Sequence, residues 1–364
     1  MIRLHNLDFC EPAAPGPDRV AAHCLWGQRF GAPLTDAPNA PAHHSAQHPA
    51  HSPAGLPLTD CALPRLVEWM KAPVDDLWLA GATGGETQTG RTGAVRWWQR
   101  GGWLAAAVDL PEADDGEGMQ ALAGQAYDEL FAVLQARGTP HVLRFWNYLA
   151  RINEEAAGLE RYRRFNHGRQ QAFDRARRSA FEGSPAASAL GSPPGAPLQV
   201  RLIASAEGSS VPIENPRQVS AYRYPTAYGA VAPTFSRAAL LARGDGSPLL
   251  TISGTASILG HASVHPGDVR AQALEACRNL DAVLDTARAQ AAERGLGVLD
   301  GLANASLTVY VRHPQDAATA AQALTAYLGA DAPALAHAVW LQADICRDDL
   351  LVEIEGVVAG PPPG

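Results

Sequence analysis

SLTVYVRHPQDAATAAQALTAYLGADAPALAHAVWLQADICRDDLLVEIEGVV, residues 306–358, reads as strand, helix, strand, strand. SLTVYV (306–311) is a short apolar run rich in β-branched residues, which favours a strand. Residues 316–328 have the composition of a helix, and 338–344 and 350–358 are apolar runs of strand length. Upstream, a helix over 268–290 starts at Asp268, a plausible N-cap. Its buried stripe is Val269, Ala273, Ala276, Leu280, Val283, Leu284 and Ala287, spaced three and four apart. Strand candidates precede it at 218–223, 236–241 and 248–254.

The first part of the chain repeats this order. Apolar runs lie near 77–80, 93–98 and 103–109, and a helix spans about 117–137. Met119, Leu122, Tyr127, Leu130, Phe131 and Leu134 share one face of it, and Gly138 follows as a C-cap. A strand at 141–148, a charged helix at 157–181 and a strand at 198–205 complete the series. Strands with helices on one face predict an α+β fold. The expectation is two fused halves, each a mixed sheet with two helices packed on one face. They divide near residue 210 into domains 1–210 and 211–364.

Composition narrows the function classes. The chain has 364 residues, 46% hydrophobic and 18% charged, which is globular. With 29 basic and 37 acidic residues the net charge is 29 − 37 = −8, which gives no general footprint for nucleic acid. No run reaches the ~18 apolar residues a membrane span needs. The start, MIRLHNLDFCEPAAPGPD, lacks the apolar core of a secretory signal. Cysteines 10, 24, 61, 277 and 346 are odd in number and have no CxxC spacing, which fits a reducing compartment. A cytoplasmic protein is expected, with no nucleic-acid or membrane partner.

Several motifs are weak. DAPNAPAHHSAQHPAHSPAGLPL (36–58) has no periodicity and reads as a loop. Its His43, His44, His48 and His51 lack a Cys or carboxylate at ligand spacing, so no metal site is assigned. GATGGETQTG (81–90) lacks the GK[ST] ending of a phosphate loop and reads as a hairpin turn. GxSxG and HExxH are absent.

The arginines and the last strand carry more chemistry. Arg144 lies within LRFWNY, and Arg161, Arg163, Arg164 and Arg169 lie on ERYRRFNHGRQQAF. The helical set is compatible with a solvated basic face. Arg312 ends a buried strand, where a guanidinium needs an anionic partner and matches a carboxylate. In Val352-Glu353-Ile354-Glu355 alternation puts both glutamates on one face. That face is either a solvated edge or the wall of a cleft. In a cleft, burial raises a carboxyl and makes it a proton donor. Cys346, seven positions before Glu353, reads by itself as a small buried hydrophobe.

RFWNYLARIN (144–153), ERYRRFNHGR (160–169), PAASALGS (185–192), NPRQVSAYRYP (215–225), SGTASILGH (253–261) and ADICRDDLLVEIE (343–355) together resemble the chorismatase family. They run in family order over most of the chain after about 140. Residues 251–358 are also similar to the broader YjgF/RidA superfamily. The resemblance implies two YjgF/RidA-like halves, with the pocket mainly in the second and capped by the first. It implies that Glu353 protonates the enolpyruvyl methylene of chorismate, while Arg312, Tyr148 and Tyr228 hold the carboxylates. Arg144, Arg163 and Arg223 are further candidates for that clamp. Gly254 and Ala256 would keep one wall small. Cys346 would mark the hydroxybenzoate-forming members, and its thiol is expected to be catalytic, as proton acceptor or relay for the neighbouring ring hydroxyl.

At PTAYGAVAPTF (225–235) the chain departs from the Arg-Gln-Tyr-Gly-Pro expected there, leaving Tyr228. The implied activity is conversion of chorismate to 3-hydroxybenzoate and pyruvate, with 4-hydroxybenzoate as an accompanying product. No cofactor or metal is implied, and a monomer is expected. The alternatives are chorismate hydrolysis to a dihydroxycyclohexadiene carboxylate, or a RidA-like metabolite binder or imine deaminase. The small single-domain superfamily members lack the RFWNY and ERYRRFN segments.

Overall fold

The computed structural model describes residues 2–7, 24–30, 58–66, 74–80, 85–112, 118–180, 183–208 and 210–364. His43, His44, His48 and His51 lie outside the described residues. Four strands make an N-terminal sheet: β1 (Ile2–Asn6), β2 (Cys24–Phe30), β3 (Leu58–Asp60) and β4 (Val74–Leu79), in the order β1-β4-β2-β3.

The first half then runs β5 (Gln88–Thr92), β6 (Val95–Arg100), β7 (Trp103–Leu110), helix α1 (Met119–Ala136) and β8 (His141–Ala150). A small ribbon, β9 (Glu155–Ala156) with β10 (Leu159–Glu160), leads into α2 (Arg161–Arg175), β11 (Ala186–Ser192) and β12 (Leu198–Ser205).

The second half runs β13 (Val211–Ile213), β14 (Ala238–Ala242) and β15 (Pro248–Ala256). The ribbon β16 (Ile258–Leu259) with β17 (Ala262–Ser263) precedes α3 (Val269–Glu293), β18 (Ser306–Val311), α4 (Ala317–Leu328) and α5 (Pro333–Ala336). The strands β19 (Val339–Gln342), β20 (Asp344–Ile345) and β21 (Val352–Ala359) end it.

The two halves share one topology. Their sheets run β5-β6-β7-β12-β8-β11 and β13-β14-β15-β21-β18-β19. In both, the strand after the first helix pairs in parallel with the strand after the second, and the last strand sits antiparallel in the middle. The expected α+β class, with two like halves, is what the structure shows. β20 leaves its own half and pairs antiparallel with β11, Leu190 opposite Ile345, at the edge of the first sheet.

Among the described residues, the helices of each half pack against one face of that half's sheet. On β8, Phe145 and Asn147 face α1, where the Tyr127 hydroxyl donates to Asn147 Oδ1 at 2.7 Å. Arg144, Trp146 and Tyr148 alternate to the other face, which looks toward the second sheet. The N-terminal sheet packs against this inter-sheet core. Trp26 and Trp78 meet Trp146 at 5.9 and 5.7 Å between ring centroids. Arg3 donates to Asp76 Oδ1 and, across to β18, to Leu307 O and Thr308 Oγ1.

The helix signals act as expected. Asp268 accepts from the Ala271 amide at 2.9 Å. After α1, Gly138 at φ 65° and Thr139 close a Schellman turn onto Gln135 and Leu134. No described helix is long and apolar enough to cross a membrane.

Three local readings change. The segment expected as strand 218–223 is a turn with a 3-10 helix at Ala221–Arg223, flanked by Pro216 and Pro225. The helix expected at 157–181 begins only at Arg161, because the ribbon occupies 155–160. Of the glycine-rich turn expected at 81–90, residues 81–84 lie outside the described residues and 88–90 are strand β5.

Candidate active site

The last strand builds the floor. β21 lies between β15 and β18, with Glu353 opposite Ala256 and Tyr310. It is therefore a central strand, and its glutamate face meets the first half rather than water. Glu355 accepts hydrogen bonds from Arg144 Nη2 (2.6 Å), Ser188 Oγ (2.6 Å) and Trp146 Nε1 (3.2 Å). Two residues away Glu353 is 3% exposed, and no described residue donates a hydrogen bond to its carboxyl. Burial, reinforced by the nearby Glu355 charge, pushes the Glu353 carboxyl up to about 8, against the pull of Arg144 and Arg237. One glutamate is thus a fully paired group and the other a buried acid that still holds its proton near neutrality.

Gly254 makes room for that acid. The β15–β21 register shifts between Ile252 and Thr255, the kind of irregularity that re-aims a strand beside a site. A Cβ on Gly254 would stand 1.8 Å from Glu353 Oε1.

Above this floor is a cavity of about 540 Å³. The second half contributes Gly254, Ala256, Ile258, Phe235, Arg237, Tyr228, Cys346, Arg347 and Glu353. The first half contributes Asn153 from the turn after β8, and Glu160, Tyr162, Arg163 and Asn166 from the ribbon and the start of α2. Cys346 comes directly after β20, so the strand that crosses to the first sheet sets its place. It packs against Ala256, Ile258, Ile345 and Leu350. Burial first, and then the Glu353 charge, pushes its thiol up to about 12, so it stays protonated.

The cavity wall carries three arginines, Arg163, Arg237 and Arg347, beside the carboxylates of Glu155, Glu160, Asp348 and Asp349. Arg237 donates to Val219 O (2.9 Å) and the Tyr224 hydroxyl (2.8 Å). Arg347 donates to His261 O (2.9 Å) and Ser263 Oγ (3.2 Å), and its guanidinium lies 4.1 Å from the centre of the Tyr228 ring. Buried Arg237 Nε and Arg347 Nη2 have no acceptor among the described residues. Unpaired guanidinium donors suit an anion, and the planar fork suits a carboxylate.

Of the site residues expected from sequence, Glu353, Cys346, Tyr228, Arg163, Gly254 and Ala256 line this cavity. Four stand elsewhere. Arg312 donates to Leu350 O, Asn153 Oδ1, Asp344 Oδ1, Ile345 O and Arg347 O, so its fork is filled by the chain itself. Tyr148 is buried between the sheets, donating to Gln28 Oε1 at 3.2 Å. Arg144 lies below the floor, tied to Glu355 and Ile252 O. Arg223 is exposed, because its segment is a turn, and the next residue, Tyr224, reaches the cavity instead.

Arg237, Arg347, Tyr162, Tyr224 and Asn166 were not expected. Arg347 had a signal, since it adjoins Cys346 in ADICRDD. Arg237 had none, because it sits just before β14 with no charge pattern around it.

Comparison with known proteins follows the same lines. Residues 76–204 match the family described as "Chorismatase FkbO/Hyg5-like, N-terminal". The chain is 36% identical over 312 residues to a 3-hydroxybenzoate synthase of Streptomyces hygroscopicus, covering 83% of this chain and 87% of that one. It is 37% identical over 281 residues to a chorismatase of Streptomyces rapamycinicus, covering 76% and 80%. A chorismatase crystal structure superimposes with a TM-score of 0.75 at 32% identity, covering 93% of each chain.

Proposed function

This chain belongs to the chorismatase family, and we propose that it converts chorismate to 3-hydroxybenzoate and pyruvate, with some 4-hydroxybenzoate, without a cofactor. The observation that carries this reading is Glu353, a buried acid with no hydrogen-bond donor among the described residues, at the floor of a cavity that also holds Arg163, Arg237 and Arg347. Chorismate is a dicarboxylate whose enol ether is cleaved by protonating carbon. That step needs an acid still protonated near neutral pH.

In this reading Glu353 gives its proton to the enolpyruvyl methylene. The resulting oxocarbenium ion weakens the ether bond to the ring, and the bonding pair leaves with pyruvate. The neighbouring ring hydroxyl attacks the vacated carbon, losing its proton. The arene-oxide-like species then opens and loses a ring proton to give the aromatic acid. Pyruvate and hydroxybenzoate together contain the atoms of chorismate, so no water is consumed.

Arg237, Arg347 and Arg163, with Tyr228, take the carboxylates, replacing the clamp expected at Arg312. Cys346 and its apolar neighbours limit the room for water beside the ring. Both halves supply walls of the cavity, which supports a single chain, divided near residue 210, as the working unit.

Incubating the purified protein with chorismate and resolving the products chromatographically tests this. Equal amounts of pyruvate and hydroxybenzoate are expected, mostly the 3-isomer. Unchanged chorismate would reject the reading, and a dihydrodiol as the sole ring product would reject the aromatising route.

A further inference from the structure

A protonated Cys346 thiol leaves the ring hydroxyl without an obvious base. Besides Glu353, four carboxylates line the cavity: Glu155, Asp348 and Asp349 are exposed, and Glu160 is half-buried. Glu160 ends β10 at the point where α2 begins, and it belongs to the first half, whereas Glu353 belongs to the second. Asn153 Nδ2 donates to Glu160 Oε1 at 3.3 Å, and Arg163 Nε stands 3.3 Å from Oε2. Glu160 makes no side-chain cap for α2, so capping does not explain it.

We propose that Glu160 is the proton acceptor of the reaction, taking the proton of the ring hydroxyl as that oxygen closes onto the carbon pyruvate leaves. The proposal rests on the chorismate reading above. The O–H bond breaks toward a Glu160 oxygen, its electron pair forms the new C–O bond, and the ether pair departs with pyruvate. Solvent exchange then returns Glu160 to carboxylate and Glu353 to acid.

The two carboxyls have opposite surroundings. Glu353 has a like charge behind it and, among the described residues, no hydrogen-bond donor to hold it ionised. Glu160 has an amide and a guanidinium on its oxygens. Burial, with Asp348 nearby, raises Glu160 above the usual glutamate value, and Asn153 and Arg163 oppose the rise. Glu160 lies near enough to Cys346 for its charge to raise the thiol. Two carboxyls with such different surroundings, lining one cavity, suit an acid–base pair. The groups that face Glu160 are Asn153, Arg163, Cys346 and Asp348, with Arg312 behind Asn153.

The test is the ratio of hydroxybenzoate to pyruvate formed from chorismate by the full chain and by Glu160→Gln. Wild type is expected at one to one. In Glu160→Gln aromatic product should fall about 100-fold, the scale of a lost general base. Pyruvate release should fall far less, with dihydrodiol making up the balance, and Glu160→Asp should recover part of the ratio. In wild type the ratio should also drop on the acid side as Glu160 protonates, a limb absent from Glu160→Gln. A one-to-one ratio in Glu160→Gln, with the acid limb unchanged, overturns the proposal. Should that variant not fold, a wild-type ratio that stays flat on acidification overturns it equally. Wild type forming no hydroxybenzoate is a different failure, that of the chorismate reading itself.

Discussion

Glu353 works because of what surrounds it, and single substitutions separate those contributions. Gly254→Ala puts a methyl where the Glu353 carboxyl lies. The carboxyl must move off the cavity floor, and kcat is expected to fall at least about tenfold, because small misplacements are costly. Circular dichroism should show the fold retained. The arginines divide by what their forks hold. Arg237→Lys should raise KM for chorismate about tenfold, the scale of one charge-assisted hydrogen bond. Arg312→Lys should instead lower the melting temperature with a smaller effect on KM, since its acceptors are Asp344, Asn153 and three backbone carbonyls. Steady-state kinetics with thermal melts of both variants checks the contrast.

At the level of elements, much of the second half was legible and parts of the first were not. β18 spans the predicted 306–311, α3 follows its periodic stripe within a few residues, and α4 falls within the expected 316–328. Asp268 caps α3 as its position suggested, so Asp268→Ala should cost about 1 kcal/mol in denaturant unfolding. β11, AASALGS, escaped notice because its residues are small and show no alternation. All of them are buried, which removes the two-residue period that marks a half-exposed strand. The last strand posed the converse difficulty. Two glutamates alternating with Val352 and Ile354 look like a solvated edge, and only the pairing of β21 between β15 and β18 shows a central strand. Arg312 was misleading for a related reason. A buried strand end does need a partner for its guanidinium, and the turn after β20 supplies it from the same chain. Sequence fixes neither crossing of β20 nor the placing of Arg237, since both depend on contacts between distant segments.

For the whole molecule, the bare faces of two like sheets create a buried polar layer, and the N-terminal sheet braces it. Arg3 spans that junction, joining Asp76 to β18. Burial would raise Asp76, yet Arg3 and His5 hold its carboxyl well below the usual range. A depressed carboxyl adds stability above its unfolded value and loses it as the pH falls. Asp76→Ala leaves the buried Arg3 guanidinium without its counter-charge and should destabilise the fold by about 3–5 kcal/mol. Chemical denaturation at neutral pH measures this, and the gap should narrow on acidification.

Glu353 carries the opposite sign. Its raised carboxyl contributes stability below the ordinary glutamate value that is lost as the pH rises through about 8. Replacing it by an amide should therefore flatten the alkaline loss of stability while removing the acid. The most direct measurement is pyruvate release from chorismate by Glu353→Gln beside Glu355→Gln and wild type, each shown to be folded. Glu353→Gln should lose at least about 100-fold in kcat while melting no lower than wild type above pH 8. Near-normal pyruvate release by folded Glu353→Gln would contradict the assignment of the proton donor.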